Sequence, residues 1–215
     1  TYRPATLNEF VGQRHLVAEF EPILKGESPM QNYIFHSREP GTGKTTLAKI
    51  IASALGFQIH QFNASSKKTR GIEFIEEYII PLSRSGVNET IIFLDEADRI
   101  TLKGVIEEAS CYFILTCNDL NLVSPWLQSR CQVRTFEPIS INDCLKRMAS
   151  VAAKESMPVS DHELSVIANR HLGDLRNCLG ALQTLSTMGD KRESFLLSLT
   201  TSGTDSAKVL RLCFK

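Results

Sequence analysis

The sequence has no excess charge of either sign. Its 24 Lys+Arg residues are balanced by 24 Asp+Glu, so the formal net charge is zero. That argues against a polycation that coats nucleic acid by bulk charge, and leaves room for a local basic patch. No apolar run reaches the roughly 18–20 residues that span a bilayer, so no membrane partner is expected. The opening residues Thr1-Tyr2-Arg3-Pro4 hold no apolar signal region. The six cysteines (Cys111, Cys117, Cys131, Cys144, Cys178, Cys213) form no CxxC pair and no zinc spacing with the five histidines. They predict free thiols in a reducing intracellular compartment, not a disulfide scaffold. Internal repeats and low-complexity tracts are also lacking. What is there is an ordinary globular mix: 215 residues, 42% hydrophobic and 22% charged, enough for one or two domains with a real core.

Apolar runs alternate with helix-period segments. Tyr33-Ile34-Phe35-His36 reads as a short buried strand, followed by a loop and a helix. Over residues 45–55, Leu47, Ile50, Ile51, Ala54 and Leu55 share one helical face, and Gly56 stands where a helix stop is expected. Residues 57–62 read as a second strand, and 71–80 as a helix closed near Pro81. Thr90-Ile91-Ile92-Phe93-Leu94 is a continuous run typical of a buried parallel strand. Residues 112–116 and, more weakly, 132–136 add two more. Strands alternating with helices predict a parallel α/β sheet.

Near Pro138 the pattern changes to three helical segments. The first covers 141–154. The second opens with Ser160 and Glu163 at capping-box spacing and runs to about Arg170. The third starts after Gly173, with Asp174 as N-cap, and runs to about Met188. The expected division is an α/β nucleotide-binding domain at 1–139, a small all-helical lid at 140–189, and a remainder at 190–215. That remainder is either the start of a further domain or a truncated tail. Thr200-Thr201-Ser202-Gly203 reads as a loop in it.

The sharpest signal is Pro40-Gly41-Thr42-Gly43-Lys44-Thr45-Thr46, placed after a strand and opening an amphipathic helix. Glycines let the backbone curl so that successive N–H groups face an anion, and the helix N-terminus adds a favourable dipole. Lys44 can reach the β- and γ-phosphates of ATP, and the Thr45 hydroxyl can ligate Mg2+. The phosphate-loop pattern asks for Gly at position 38, where this chain has Arg38. Leu94-Asp95-Glu96-Ala97-Asp98 ends the most apolar strand, so its acids point toward the crevice where such sheets bind ligands. Asp95 suits the Mg2+ shell. Glu96 suits the base that orients or polarises an attacking water.

Tyr2-Arg3-Pro4, Val11-Gly12-Gln13, Pro40–Thr46, Asp95-Glu96-Ala97-Asp98-Arg99, Thr116-Cys117-Asn118, Ser129-Arg130-Cys131 and Gly173-Asp174-Leu175-Arg176 occur in that order. The order and spacing resemble AAA+ ATPase subunits of sliding-clamp loaders, the replication factor C small-subunit type and its phage counterparts, over roughly residues 1–188. The resemblance implies a parallel-sheet P-loop NTPase core followed by a helical lid. It implies an ATPase stimulated by DNA and clamp, using ATP and Mg2+, in a ring-like hetero-oligomer of five subunits that loads a sliding clamp onto primer–template DNA. By the same resemblance, Val11 and Gly12, with Tyr2, Arg3 and Pro4, line the adenine pocket. Asn118 is sensor 1. Arg176 is sensor 2, reaching the nucleotide from the lid. Arg130 is an arginine finger acting in trans on a neighbour's ATP.

Lys67, Lys68 and Arg70 cluster just before a helix start, a good phosphate-backbone site that reads no bases. In the resembling family this region faces the DNA channel and the helix behind it meets the clamp. Ile72, Ile75 and Ile79 fall on one stripe of that helix, a pattern more typical of core than of interface. Two departures stand out: Ser37-Arg38-Glu39-Pro40 replaces the usual Gly-Pro-Pro, and the segment from Ile100 to Tyr112 is short for the family. The alternatives are a nucleotide-binding scaffold subunit without catalysis, against which Lys44, Asp95 and Glu96 speak, and another AAA+ DNA motor or initiator.

Overall fold

The computed structural model describes residues 2–66, 69, 71–84, 89–102 and 104–200. Within them the chain divides into two compact units, Arg3–Glu137 and a second that begins at Pro138 and also takes in Tyr2.

The first unit is built on five parallel strands: β1 (Tyr33–His36), β2 (Gln58–Asn63), β3 (Thr90–Asp95), β4 (Tyr112–Cys117) and β5 (Gln132–Thr135). Their order is β2-β3-β4-β1-β5. Side chains alternate between two faces, as the pleat requires. Tyr33, Phe35, Ile91, Phe93 and Ile114 face one core, and Ile34, Ile92, Leu94, Phe113 and Leu115 face the other. Helices α1 (Arg14–Leu24) and α2 (Lys44–Leu55) cover the first face with Leu16, Phe20, Leu47, Ile50 and Ile51. Each such side chain contributes about 1.5–3 kcal/mol by leaving water. Helix α2 stops at Gly56, whose φ of 70° is left-handed, and whose N–H bonds back to the Ser53 carbonyl.

The second face is covered by a helical run of three pieces: α3 (Ile72–Phe74), a wide π turn (Ile75–Ile79) and α4 (Ile80–Ser83). The run does not close at Pro81 as the sequence suggests. Pro81 stands in the first turn of α4, where no backbone N–H is needed, and the π turn resets the hydrogen-bond register before it. Ile75 and Ile79 are buried, whereas Ile72 is 71% exposed, so the predicted apolar stripe is only partly core. The short helices α5 (Val105–Glu108) and α6 (Pro125–Arg130) complete this layer.

The second unit holds α7 (Ile141–Lys154), α8 (Asp161–His171) and α9 (Leu175–Thr187). Each begins with a side-chain cap. Ser140 accepts from the Asp143 N–H, Asp174 from the Asn177 N–H, and Ser160 and Glu163 form both halves of a capping box. Cys144, Met148, Leu164, Ile167, Cys178, Leu182 and Leu185 make its interior. Gly173 (φ +92°) precedes α9, and a Cβ there would stand 2.2 Å from the Ile139 carbonyl oxygen. Residues 192–200 are helical, and Arg192 ties this stretch back to Glu163 and to the Pro158 carbonyl. Thr200 is part of that helix; the rest of the expected loop, 201–203, lies outside the described residues.

Candidate functional site: a phosphate loop facing β3 and β4

The loop after β1 curls by two left-handed glycines, Gly41 (φ 74°) and Gly43 (φ 103°). At Gly43 the requirement is doubled. A Cβ there would lie 2.8 Å from the Phe10 ring, so the segment before α1 packs against the loop and admits no side chain. Arg38 adopts no positive φ and its side chain is exposed, so the missing first glycine of the pattern costs the backbone nothing. Instead the Ser37 hydroxyl bridges the loop, accepting from the Glu39 N–H and donating to the Glu39 carbonyl. Pro40 is exposed, Thr45 and Thr46 are half-buried in the first turn of α2, and the Thr42 hydroxyl is buried without a hydrogen-bond partner among the described residues.

Lys44 Nζ donates to the Ser37 carbonyl at 3.2 Å and to Asn118 Oδ1 at 3.3 Å. The topology brings this about. Strand β4 lies between β1 and β3, so Asn118, one residue past β4, stands between the loop and the acids. The acidic strand is thus not the immediate neighbour of the phosphate-loop strand, because β4 is inserted between the two. Asp95, the last residue of β3, accepts from Thr116 Oγ1 at 2.6 Å and from Thr45 Oγ1 at 3.4 Å. The Thr116 hydroxyl in turn accepts from the Glu96 N–H at 3.0 Å, and the Thr116 carbonyl accepts from the Ala97 N–H. These bonds hold Glu96 in a left-handed conformation (φ 57°) with its side chain exposed. Asp98 Oδ1 accepts from the N–H groups of both Asn118 and Asp119, which fixes the turn carrying Asn118. Burial and the nearby Asp98 carboxylate push the Cys117 thiol up to about 12, so it stays protonated and is no nucleophile at neutral pH.

The model for the ATPase family associated with various cellular activities (AAA) matches residues 34–139, a span that begins in β1 and includes this whole constellation. The chain is also 32% identical over 206 residues to a replication factor C small subunit of Archaeoglobus fulgidus, covering 88% of this chain and 63% of the relative. Over 216 residues it is 31% identical to that of Haloarcula marismortui, covering 94% and 66%.

Residues 34–139 are an AAA ATPase-family domain.

Among solved structures, the RuvB Holliday junction branch migration motor of Thermotoga maritima superposes with a TM-score of 0.79 at 21% identity, covering 93% of this chain and 72% of that one, a likeness of fold. The expected parallel-sheet AAA core followed by a helical region is what the structure has. The donor set fits the nucleotide and metal that this family handles. The Thr45 hydroxyl and Asp95 carboxylate already face each other as an oxygen pair suited to Mg2+, and the unbonded Thr42 hydroxyl lies in the loop that would meet phosphate.

The remaining expected site residues of this chain are distributed as follows. Val11 and Gly12 are half-buried just before α1. Arg3 and Pro4 belong to the sheet unit, whereas Tyr2 groups with the helical unit, its carbonyl accepting from Arg147 Nη2 at 2.8 Å. Arg176 is exposed in the first turn of α9. Arg130 ends α6 and is engaged by its own chain, paired with Glu107 and lying over the Trp126 ring. Lys67, Lys68 and Arg70 lie outside the described residues.

Three contributions escaped the sequence reading. Thr116 and Asp98 brace Asp95, Glu96 and Asn118; both fall within quoted motifs, but neither residue type announces a bracing role. Gln13 is buried in a left-handed conformation at the start of α1. Its amide donates to the Glu137 carbonyl at 2.5 Å and accepts from the Glu137 N–H at 3.0 Å, binding the segment after Gly12 to the last residue of the sheet unit. The helical period of Leu16, Phe20 and Ile23 was the available signal for α1.

Proposed function

We propose that the chain is the ATP-hydrolysing part of a sliding-clamp loader. ATP binding would open a ring-shaped clamp and load it onto primer–template DNA, and hydrolysis would release it. The observation that carries this reading is Lys44 held between the Ser37 carbonyl and Asn118, with Thr45 and Asp95 opposed beside it. It is supported by the similarity to replication factor C small subunits, of whose length the chain spans 63–66% in the two compared.

In this reading the N–H groups from Gly41 to Thr46 cradle the phosphates and Lys44 offsets their charge. Mg2+ on Thr45 and Asp95 would neutralise charge on the β- and γ-phosphates. Glu96 orients a water and takes its proton as the water oxygen attacks the γ-phosphorus. The bond to the ADP oxygen breaks, and ADP and phosphate leave. Asn118 steadies the γ-phosphate or the water. Arg176 approaches from the helical unit, and Val11, Gly12, Tyr2, Arg3 and Pro4 surround the adenine. Arg130 acts in trans within a ring-like hetero-oligomer of five subunits, inside the cell, where the thiols stay reduced. Lys67, Lys68 and Arg70 contact the DNA backbone, so replacing all three with Ala weakens binding to every sequence alike and flattens its salt dependence.

The test is the ATPase rate of the assembled complex with primed DNA, with clamp, and with both. Stimulation that needs both together supports clamp loading. A rate indifferent to clamp, or one raised by four-way junctions in place of primed DNA, refutes it.

A further inference from the structure

Arg130 is held on three sides. Its Nε and Nη2 both donate to one oxygen, Oε1 of Glu107. Its Nη1 donates to the Ser129 hydroxyl at 3.1 Å. Its guanidinium carbon lies 4.1 Å from the centre of the Trp126 ring. A guanidinium has five N–H donors, and these contacts use three of them. Among the described residues two remain without a partner, one on each terminal nitrogen, and the side chain is still 34% exposed. That outer edge is the fork with which Arg grips a second oxyanion.

Glu107 is itself well placed to hold this position. It sits on α5, whose Val105 and Ile106 are buried, and its neighbour Glu108 pairs with Arg84 just past the end of α4. The short segment after Arg99, which stood out in the sequence, therefore folds into a bracket with one carboxylate for each of two arginines.

We infer that Glu107 is the positioning residue for Arg130, holding its guanidinium as a preset fork for a phosphate on a neighbouring subunit. The inference rests on the trans role proposed for Arg130. A carboxylate that masked the arginine would take both terminal nitrogens. Glu107 instead takes the inner Nε edge, while Trp126 supports one face. A long side chain ordered before the partner arrives loses less entropy when it meets the transition state.

The test uses the assembled oligomer of full-length chains and follows hydrolysis at the site that Arg130 faces, with Glu107→Gln, Arg130→Ala and the double variant. Glu107→Gln is expected to lower kcat by about tenfold to a hundredfold, leaving the KM for ATP unchanged. The thermal midpoint of the free subunit should not move, because a half-exposed pair contributes little to stability. In the Arg130→Ala background, Glu107→Gln should add nothing. The inference is overturned if Glu107→Gln raises the rate, leaves it unchanged, or lowers it equally in both backgrounds. If Arg130→Ala alone leaves the neighbour's site at full rate, the trans role itself falls and takes this positioning role with it.

Discussion

At the C-terminal ends of β1, β3 and β4, backbone and side chains adopt conformations that cost free energy; in the helical unit, helices start as isolated peptides prefer to start them. Glu96 is left-handed without being glycine, Gly43 is pressed against Phe10, and the Thr42 hydroxyl is buried without a partner. Helices α7, α8 and α9 instead open on Ser140, Ser160 and Asp174, all preferred N-caps that bond the expected N–H. The helical unit departs from that ease at Ser156 (φ 52°), after α7, and in the Leu172-Gly173 step, both left-handed, immediately before the helix that carries Arg176. The lesson is that polar crowding collects where nucleotide chemistry is proposed, whereas left-handed non-glycine residues occur in both units and the starts of the supporting helices obey local rules.

The largest expected effect tests the strained end. Lys44→Ala removes the cation that bridges Ser37 and Asn118, and should abolish tight MgATP binding and turnover in the assembled complex. Normal turnover would break the comparison outright. Next comes Glu96, where two substitutions separate chemistry from strain. Glu96→Gln should bind ATP and hydrolyse it about 10²–10⁴-fold more slowly, since the amide accepts no proton. Glu96→Gly should be equally inactive, yet raise the stability of the sheet unit by about 1 kcal/mol by relieving the left-handed backbone. A Gly variant less stable than wild type in denaturant titration would mean that no strain is stored there.

Smaller effects belong to the helical unit. Gly173→Ala should destabilise it by about 2–4 kcal/mol, because the new Cβ meets the Ile139 carbonyl in a left-handed backbone. An unshifted helical melting signal would show that the turn can yield. Ser160→Ala should cost about 1 kcal/mol by loss of the cap. The same capping box predicts a pH dependence. Burial alone would raise the Glu163 carboxyl, but bonds from the Ser160 N–H and hydroxyl and from Arg192 hold it below its ordinary value. A depressed carboxyl stabilises the fold above its unfolded pKa of about 4.3, and that contribution is lost as pH falls through the lower folded value. Helical-unit stability should therefore decline in acid, and less steeply in Glu163→Gln. Equal pH profiles for the two would remove the capping box from the ledger.

How much could be read beforehand differs by kind of feature. The β-branched run Thr90–Leu94, the apolar face of α2, the Ser160–Glu163 spacing and the glycine-rich loop were all legible. Each rests on the chemistry and periodicity of residues a few positions apart, which backbone geometry converts directly into strand, helix, cap or anion cradle. The π turn before Pro81 was not legible, because a helix that widens for one turn keeps the same apolar residues and changes only their register. Strand order was not legible either. Only the folded sheet inserts β4 between β1 and β3, and so brings Asn118 to Lys44 across 74 residues, Thr116 to Asp95, and Gln13 to Glu137 across 124. The sequence alone determined the pieces and the chemical groups they carry, because those follow from local torsions and side-chain type. The tertiary structure alone decided which groups meet, because hydrogen bonds between distant residues depend on how whole strands pack, and no local pattern encodes that.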